Sequence, residues 1–223
     1  MDLDLRSGRA LEAKTQPFPS DLATPAIPSR RRALQSQARY LSLIADRDGR
    51  VVGVRLIQVG PHERAASRFA KLGFVVREAL VCMQGAALGL VPRGVVVRAV
   101  VESDIESCDR LCRRVHGHAR DGELRKAIAE GTAALVERER RVTGYATSIG
   151  FLGHAVAESN KDLQALIGAA GVFAGPGFLV PTRNIGLLHW CLEQGLRIVQ
   201  PMTLMSRGEY QEPVGAFLPS ILY

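Results

Sequence analysis

Two cysteines and two histidines recur near the middle of the chain. Cys108, Cys112 and His116 follow one another at four-residue intervals on a predicted helix, and His118 comes shortly after. Thiolate and imidazole are ligands that zinc prefers, but the first and third of these positions lie about 12 Å apart along a helix axis, whereas zinc bonds measure about 2.0 to 2.3 Å. We therefore predict buried thiols, a histidine that interacts with the helix dipole, and no metal site.

Cys191 and His189 are residue types that can act as a nucleophile and its general base. They are two positions apart on a predicted helix, and side chains at that spacing diverge. Cys191 also lies beside Trp190 on a largely apolar helix, where a cysteine is more often part of the core. We therefore do not expect this pair to carry out acyl transfer.

The composition is that of an ordinary globular protein of 223 residues with 47% hydrophobic content. No membrane partner is expected, because the most apolar stretch, 81–101, is interrupted by Pro92 and by arginines and falls short of the roughly 18 to 20 residues of a span. The acidic start without an apolar segment and the four cysteines favour a cytoplasmic protein. The net charge of +7 suits a phosphate-bearing ligand, but nucleic acid is not favoured, because the arginine runs at 30–32 and 138–141 lack interleaved aromatic residues.

The hydrophobic pattern alternates between strand and helix periods, which predicts a mixed α/β fold. Ser103, with Glu106 three residues later, is the expected N-cap of a helix that runs to 115. Gly73 is expected to end an earlier helix. The predicted helices are 30–45, 62–72, 103–115, 124–128, 162–170 and 185–194, and the predicted strands are 51–59, 74–83, 95–100, 133–139, 142–149, 151–157, 177–180 and 196–205.

Two segments of the chain match each other in order and spacing. Each reads strand, polar turn, helix, glycine, large apolar residue, strand and methionine. Three anchors of the first segment recur 122 positions later, and these pairs are His62 and Asn184, Gly73 and Gly195, and Met83 and Met205. The match predicts a duplicated architecture; two unrelated strand-helix-strand units are the alternative.

The first segment carries a recognisable motif. Residues 62–74 read His-Glu-Arg-Ala-Ala-Ser-Arg-Phe-Ala-Lys-Leu-Gly-Phe, which resembles the late motif Asn-x-Arg-Ala-x-x-x-Tyr-x-Lys-x-Gly-Phe of the GNAT N-acetyltransferases. Residues 184–196 look like a weaker copy that retains Asn184. The runs at 144–147 and 219–223 are similar to those of tandem members of that superfamily. The resemblance covers about residues 50 to 223.

The resemblance implies a GNAT-like mixed sheet flanked by helices, duplicated, with an incomplete first copy. We expect an extended or disordered arm at 1–30, where four prolines occur, and a partial domain at 31–86. A linker at 87–94 would lead to a C-terminal GNAT-like domain at 95–223. Because the first copy lacks its opening strands, the C-terminal domain, a partner chain in a homo-oligomer or a longer natural chain would complete it.

The activity implied by the resemblance is transfer of an acetyl group from acetyl-CoA to a small-molecule or peptide amine. In that family the pyrophosphate rests on a glycine-rich loop that opens a central helix, but no such loop is recognisable here. At the corresponding place Gly150 and Gly153 would let a ligand approach, whereas Glu158 near the helix entry would repel phosphate. With Asn184 and Cys191, the two glycines are the candidate cofactor-binding residues.

The family's usual general acid is a tyrosine of the late helix. It aligns with Phe69 in the first copy, which has no proton to give, and with Cys191 in the second. Tyr145 is a substitute, and Glu158 or His154 is the candidate base for the incoming amine. The alternative is a non-catalytic module that kept the fold and binds a ligand or a partner.

Overall fold

A computed structural model describes residues 40–47, 50–59, 69–208 and 210–221 of the chain. The chain forms two compact units. Of the described residues, the first unit contains those up to Ala79 and those from Gln200 to Tyr210, and the second contains Leu80–Val199 and Gln211–Ile221. The predicted arm at 1–30 lies outside the described residues.

Strands and helices alternate along the described residues, which confirms the predicted mixed α+β fold class. A 3-10 turn at Glu102–Asp104 precedes the first of the helices named below. The strands are β1 (Tyr40–Arg47), β2 (Arg50–Val59), β3 (Val75–Gln84), β4 (Val96–Ala99), β5 (Ala134–Arg138), β6 (Arg141–Ala146), β7 (Ala155–Ala157), β8 (Phe178–Pro181), β9 (Arg197–Gly208) and β10 (Ala216–Leu218), and the helices are α1 (Ile105–His116), α2 (Asp121–Ala129), α3 (Asn160–Ala169) and α4 (Ile185–Glu193).

In the first unit, β1 and β2 form an antiparallel hairpin, and β2 pairs on its other side with β9. The helix predicted at 30–45 is therefore wrong over 40–45; its earlier residues lie outside the described part. Leu41 and Ala45 fit a helical spacing, but Leu41 and Leu43 also fit the two-residue period of a strand. Because β2 supplies backbone hydrogen-bond partners for all of β1, tertiary pairing decides in favour of the strand.

In the second unit, five antiparallel strands follow the order β10-β7-β6-β5-β4, and β3 pairs separately with β8. Consecutive residues of β7 belong to different core clusters, as the alternation of a strand requires. Val156 packs with Leu111 of α1, whereas Ala157 packs with Leu163 of α3. Helices therefore cover both faces of this sheet. Within the described residues, none of the helices has the length and apolar character needed to cross a membrane.

The start of α1 differs from the prediction. Ser103 lies in the 3-10 turn rather than at an N-cap, and α1 begins at Ile105. Asp104 is the N-cap residue of α1, but its side chain binds the start of the 3-10 turn, where its Oδ2 accepts a hydrogen bond from the Val101 N–H at 2.9 Å. Arg98 holds this carboxylate with two further hydrogen bonds of 2.7 and 2.9 Å, which lower the pKa of Asp104.

Two helix ends share one geometry. Phe74 donates its N–H to the Phe69 carbonyl at 3.0 Å, and Leu196 donates to the Cys191 carbonyl at 3.0 Å. Gly73 and Gly195 lie between them with φ values of 83° and 80°, the left-handed conformation that this type of helix end requires. The predicted stop at Gly73 is confirmed, while residues 62–68 of that helix lie outside the described part.

The strand pairings of the two units also share one register. In the second unit Met83 of β3 lies opposite Phe178 of β8, and in the first unit Met205 of β9 lies opposite Leu56 of β2. Leu56 and Phe178 are 122 positions apart, as are Met83 and Met205. Each unit therefore pairs a strand of one segment with a strand of the other, in equivalent register.

Candidate functional site

A cavity of about 650 Å³ lies in the second unit where α3 and α4 begin. One wall is the start of α3, a second is the turn between β8 and α4, and a third is the segment that leads into β10. The lining residues are Glu158, Ser159, Asn160, Pro181, Arg183, Asn184, Glu212, Pro213, Val214, Gly215, Ala216 and Phe217. The cavity thus combines polar groups from helix starts with apolar groups from the C-terminal segment.

Two asparagines tie the first two walls together. Asn160 Nδ2 donates to Asn184 Oδ1 at 2.7 Å, and Asn184 Nδ2 donates to Asn160 Oδ1 at 2.8 Å. Asn184 Oδ1 also accepts the Leu187 N–H at 3.3 Å and so caps α4. The predicted site residue Asn184 therefore lies in the cavity wall, and its amide fixes the relative position of two helix starts.

The first turn of α3 carries its own carboxylate. Asp162 is buried, and its Oδ2 accepts the Ser159 hydroxyl at 2.6 Å. Its Oδ1 accepts hydrogen bonds from Arg138 Nε at 2.6 Å and from the Thr143 hydroxyl at 3.0 Å. A phosphate bound at this helix start would meet a carboxylate that Arg138 already neutralises.

Glu158 lies in the cavity wall between two arginines. Its Oε1 accepts a hydrogen bond from Arg114 Nη1 at 2.9 Å and forms an ion pair with Arg141. The hydrogen bond from Arg141, together with that from Arg114, lowers the pKa of Glu158 despite its partial burial. Because the arginines stabilise the carboxylate and so lower its pKa, Glu158 is a weak proton acceptor for an amine near neutral pH.

His154 and Tyr145 meet in a buried network outside the cavity wall. Both are fully buried, and the Tyr145 hydroxyl lies 3.1 Å from His154 Nε2. His154 Nδ1 lies 3.2 Å from Glu123 Oε2, and Arg120 donates to both oxygens of that carboxylate. The carboxylate favours the proton on Nδ1, so that Nε2 accepts from Tyr145.

The electrostatics of this network keep His154 neutral. Burial and the nearby charge of Arg120 lower the pKa of His154 to about 4, against the opposing effect of Glu123. Burial raises the pKa of Tyr145, so its hydroxyl stays protonated. For Glu123 burial acts to raise the pKa, but the hydrogen bond from His154 and the charge of Arg120 prevail and lower it to about 2. The network is a neutral imidazole and phenol held by the ion pair of a buried Arg120 with a half-exposed Glu123.

Gly150 and Gly153 lie in the turn between β6 and β7, outside the cavity wall. A Cβ atom at Gly150 would come within 2.6 to 3.0 Å of Ala174 atoms, and one at Gly153 within 2.2 Å of the Ser148 hydroxyl oxygen. The space that the missing side chains leave is therefore filled by neighbouring chain. The cofactor-binding role of these glycines stays a prediction.

Cys191, a residue of α4, is fully buried in the core, and burial raises the pKa of its thiol to about 12. Cys108 and Cys112 are fully buried as well. Among the described residues, no three His, Cys, Asp or Glu side chains are placed to hold a metal ion. Of the predicted site residues, the structure brings Glu158 and Asn184 to the cavity and joins His154 to Tyr145, while Cys191 and the two glycines lie elsewhere.

The sequence reasoning missed several residues of these two sites. Glu123 had no signal, because α2 was expected to begin one residue after it. Asn160 had a weak sequence signal, because Ser159 and Asp162 on either side of it have the spacing of a capping box. Arg183 directly precedes the motif residue Asn184, but its contacts are with residues that follow some 30 positions later.

Comparison with known proteins finds solved structures with a similar fold, but no match by sequence. A candidate acetyltransferase of solved structure from Pyrococcus horikoshii matches with a TM-score of 0.59 at 16% identity, over 89% of this chain and 66% of its own. The fold is that of the GNAT-like acetyltransferases. This chain thus spans about two thirds of the Pyrococcus protein, and at such identity the likeness concerns the fold alone. No protein-family model matches the chain, and no curated protein matches its sequence.

Two other solved structures are described as members of the same acetyltransferase group. One, from Colwellia psychrerythraea, is 8% identical with a TM-score of 0.44 and covers 89% of this chain and 100% of its own. The other, from Sphaerobacter thermophilus, is 11% identical with a TM-score of 0.42 and covers 88% and 90%. At TM-scores below 0.5 neither match carries an argument of its own.

Proposed function

We propose that the protein is a GNAT-type N-acetyltransferase that transfers an acetyl group from acetyl-CoA to a small-molecule or peptide amine, and that the cavity at the starts of α3 and α4 is its ligand site. The observation that carries this proposal is the position of the cavity within an acetyltransferase-like fold. It opens at two helix starts, whose backbone N–H groups and dipoles attract anions. Asn184, which corresponds to the motif asparagine, is part of its wall.

The residues around the cavity fit the phosphates of acetyl-CoA in charge. Arg183 in the wall would hold them in place of its contact with Glu212, and Arg138 offsets the carboxylate of Asp162. Bound acetyl-CoA would supply the activated acyl group as a thioester. The chain's own contribution would be to orient the ligand through the amides of Asn160 and Asn184 and to exclude water with the apolar wall.

We also infer that the segments around Leu56 and Phe178 are copies of one unit, as in a tandem GNAT protein. Their identical helix ends and equivalent strand registers support this inference. The two copies differ before this unit, because β1 lies where the second copy has α3. The main contribution of the first copy would then be the strand that it exchanges with the second. A homo-oligomer, which light scattering on the full chain would reveal, remains the proposed source of any further strands.

The second candidate function is a module that binds a ligand without turnover. Phe69 and Cys191 occupy the positions of the family's general acid, and the Cys191 thiol is fully buried. Tyr145 and His154 are enclosed in the core as well. These positions favour binding over proton transfer.

Titration calorimetry with CoA and acetyl-CoA, followed by thiol-release assays with mixed amines, tests both candidates. Amine-dependent thiol release supports the transferase, binding without release supports the module, and absence of binding contradicts the transferase. Asn184→Asp keeps the capping oxygen but puts a carboxylate in the wall, so it should weaken CoA binding about tenfold. The matched control is Gln194→Glu, which adds the same charge about 15 Å away at the other end of α4.

A further inference from the structure

Arg183 connects two walls of the cavity. It lies in the turn between β8 and α4, and its guanidinium contacts three residues of the opposite wall. Nη1 forms an ion pair with Glu212, Nη2 donates to the Pro213 carbonyl at 3.4 Å, and the group lies 5.8 Å from the centre of the Phe217 ring. The arginine is thus held in place over the cavity while 42% of its side chain stays exposed.

The charges around the cavity favour an anionic ligand. The wall carboxylate of Glu158 is matched by two arginines, Arg114 and Arg141. The other wall carboxylate, Glu212, is matched by Arg183. Because these contacts contain three guanidinium groups and two carboxylates, an added negative charge is favoured and an added positive charge is not.

The Glu212 side of the cavity is held in part by an ion pair that is exposed to water. Residues 211–215, which we name the strap, form neither helix nor strand. Besides the contacts made by Arg183, the Val214 N–H donates to the Val115 carbonyl at 2.9 Å, the Gln211 side chain lies against Gly117, and Pro213 is buried. Glu212 is 68% exposed, and such ion pairs contribute little because water screens them. Beyond the strap, β10 is buried and paired with β7.

We propose that Arg183 recognises an anionic group, a phosphate or a carboxylate, on the ligand of this cavity, and that Glu212 occupies Arg183 until that group replaces it. Exchange of one anion for the other would release the strap, so ligand entry and strap opening are coupled. Gly215, with a φ of 107°, is the residue at which the strap would turn away from β10. The inference rests on the proposed function only in taking this cavity as the ligand site.

Two probes distinguish the source of the anion in calorimetric titrations of the full chain at low salt. Adenosine 3′,5′-bisphosphate represents the phosphate end of the acyl carrier, and 3-aminopropylphosphonate represents an anionic acceptor. 1-Propylamine, which lacks the phosphonate group, is the control for the second probe. Glu212→Gln should tighten binding of at least one anionic probe about two- to fivefold, because an exposed competitor is removed. Arg183→Ala should weaken the same probe at least about tenfold.

The Arg125 and Glu102 pair provides the matched control, because it has similar exposure and lies outside the cavity wall. Arg125→Ala and Glu102→Gln should leave both titrations unchanged. Hydrogen exchange of the strap should be faster in Glu212→Gln, and in the wild type on addition of the effective probe. If Arg183→Ala binds both anionic probes as the wild type does, or if Glu212→Gln tightens neither, the proposal is overturned. Because no acetyl transfer is measured, its failure is separable from that of the transferase.

Discussion

Acidification should destabilise the second unit through His154. This imidazole is fully buried, and burial together with the charge of Arg120 lowers its pKa to about 4. In the unfolded chain the pKa returns to its ordinary value of 6.5. The unfolded state therefore binds the proton more readily than the folded state does.

The sign and size of the effect follow from that difference. Since the folded pKa is the lower one, the full stability is present above pH 6.5 and is lost as the pH falls from 6.5 towards 4. A difference of roughly 2.5 pKa units corresponds to about 3 kcal/mol of unfolding free energy, at about 1.4 kcal/mol per unit. About 2 kcal/mol of this is lost between pH 7 and pH 5.

Urea unfolding followed by the fluorescence of Trp190, the single tryptophan of the chain, measures this loss. Trp190 packs against the core of the second unit, so its signal reports that unit. His154→Gln removes the titrating group while keeping a polar side chain. The variant should be less stable at pH 7, because the hydrogen bonds to Glu123 and Tyr145 are disturbed, but its deficit should shrink by about 2 kcal/mol at pH 5.

Other ionisable groups do not produce the same signature. Asp104 and Glu158 have lowered pKa values, so their contributions are lost below the ordinary carboxyl range and are present in both proteins. The comparison of wild type with variant therefore isolates the imidazole. If the two proteins lose stability in parallel between pH 7 and pH 5, His154 takes up a proton in the folded state as readily as in the unfolded chain, and the assignment of a lowered pKa is incorrect.

Three further variants test local features by urea unfolding at pH 7. Glu139→Asn with Arg140→Gly should stabilise the chain by about 1 kcal/mol, because both residues of this hairpin turn have positive φ values, 50° and 62°, which asparagine and glycine adopt more easily than glutamate and arginine; no gain would show that the turn is unstrained. Gly177→Ala should cost more than about 2 kcal/mol, since its φ is 129° and a Cβ would lie 2.1 Å from the Met83 carbonyl oxygen; a neutral effect would contradict that packing. Asn184→Ala should cost about 1 to 2 kcal/mol through the lost helix cap and amide pair, and an unchanged midpoint would mean that neither contributes.

The sequence predicted most of the second unit, because its elements carry local signals. Gly195 ends α4 through a backbone conformation that few residues other than glycine adopt, and β5 and β6 are short runs that contain β-branched or aromatic residues such as Val136, Val142 and Tyr145. β1 was wrongly predicted as a helix because its apolar residues fit both the helical period and the two-residue period of a strand. Pairing with β2 decides between the two, and the sequence does not show that pairing. β10, three residues long, has no periodicity to detect.

The candidate site was predictable only where a motif extended into it. Asn184 was found because it opens a helix in a recognisable pattern, and Glu158 because it precedes one. The contacts that define their roles come from elsewhere in the chain: Arg114 reaches Glu158 across 44 positions, and Glu212 reaches Arg183 across 29. Ion pairs between residues so far apart in the chain follow no regular spacing in the sequence. The arginine contacts of Glu158 and the contact between Arg183 and Glu212 could therefore be found only from the fold.

The lining of the cavity also constrains how an amine could react there. Its ionisable residues within the described wall are Glu158, Glu212 and Arg183, and none is a histidine, the side chain that titrates nearest to neutral pH. An acceptor would then have to enter as the free amine, so turnover should follow the acceptor's own pKa. Thiol release should level off near pH 8 for a peptide α-amine and keep rising towards pH 10 for a lysine side chain. A profile that is the same for both acceptors would instead require a base on the protein and would contradict this account.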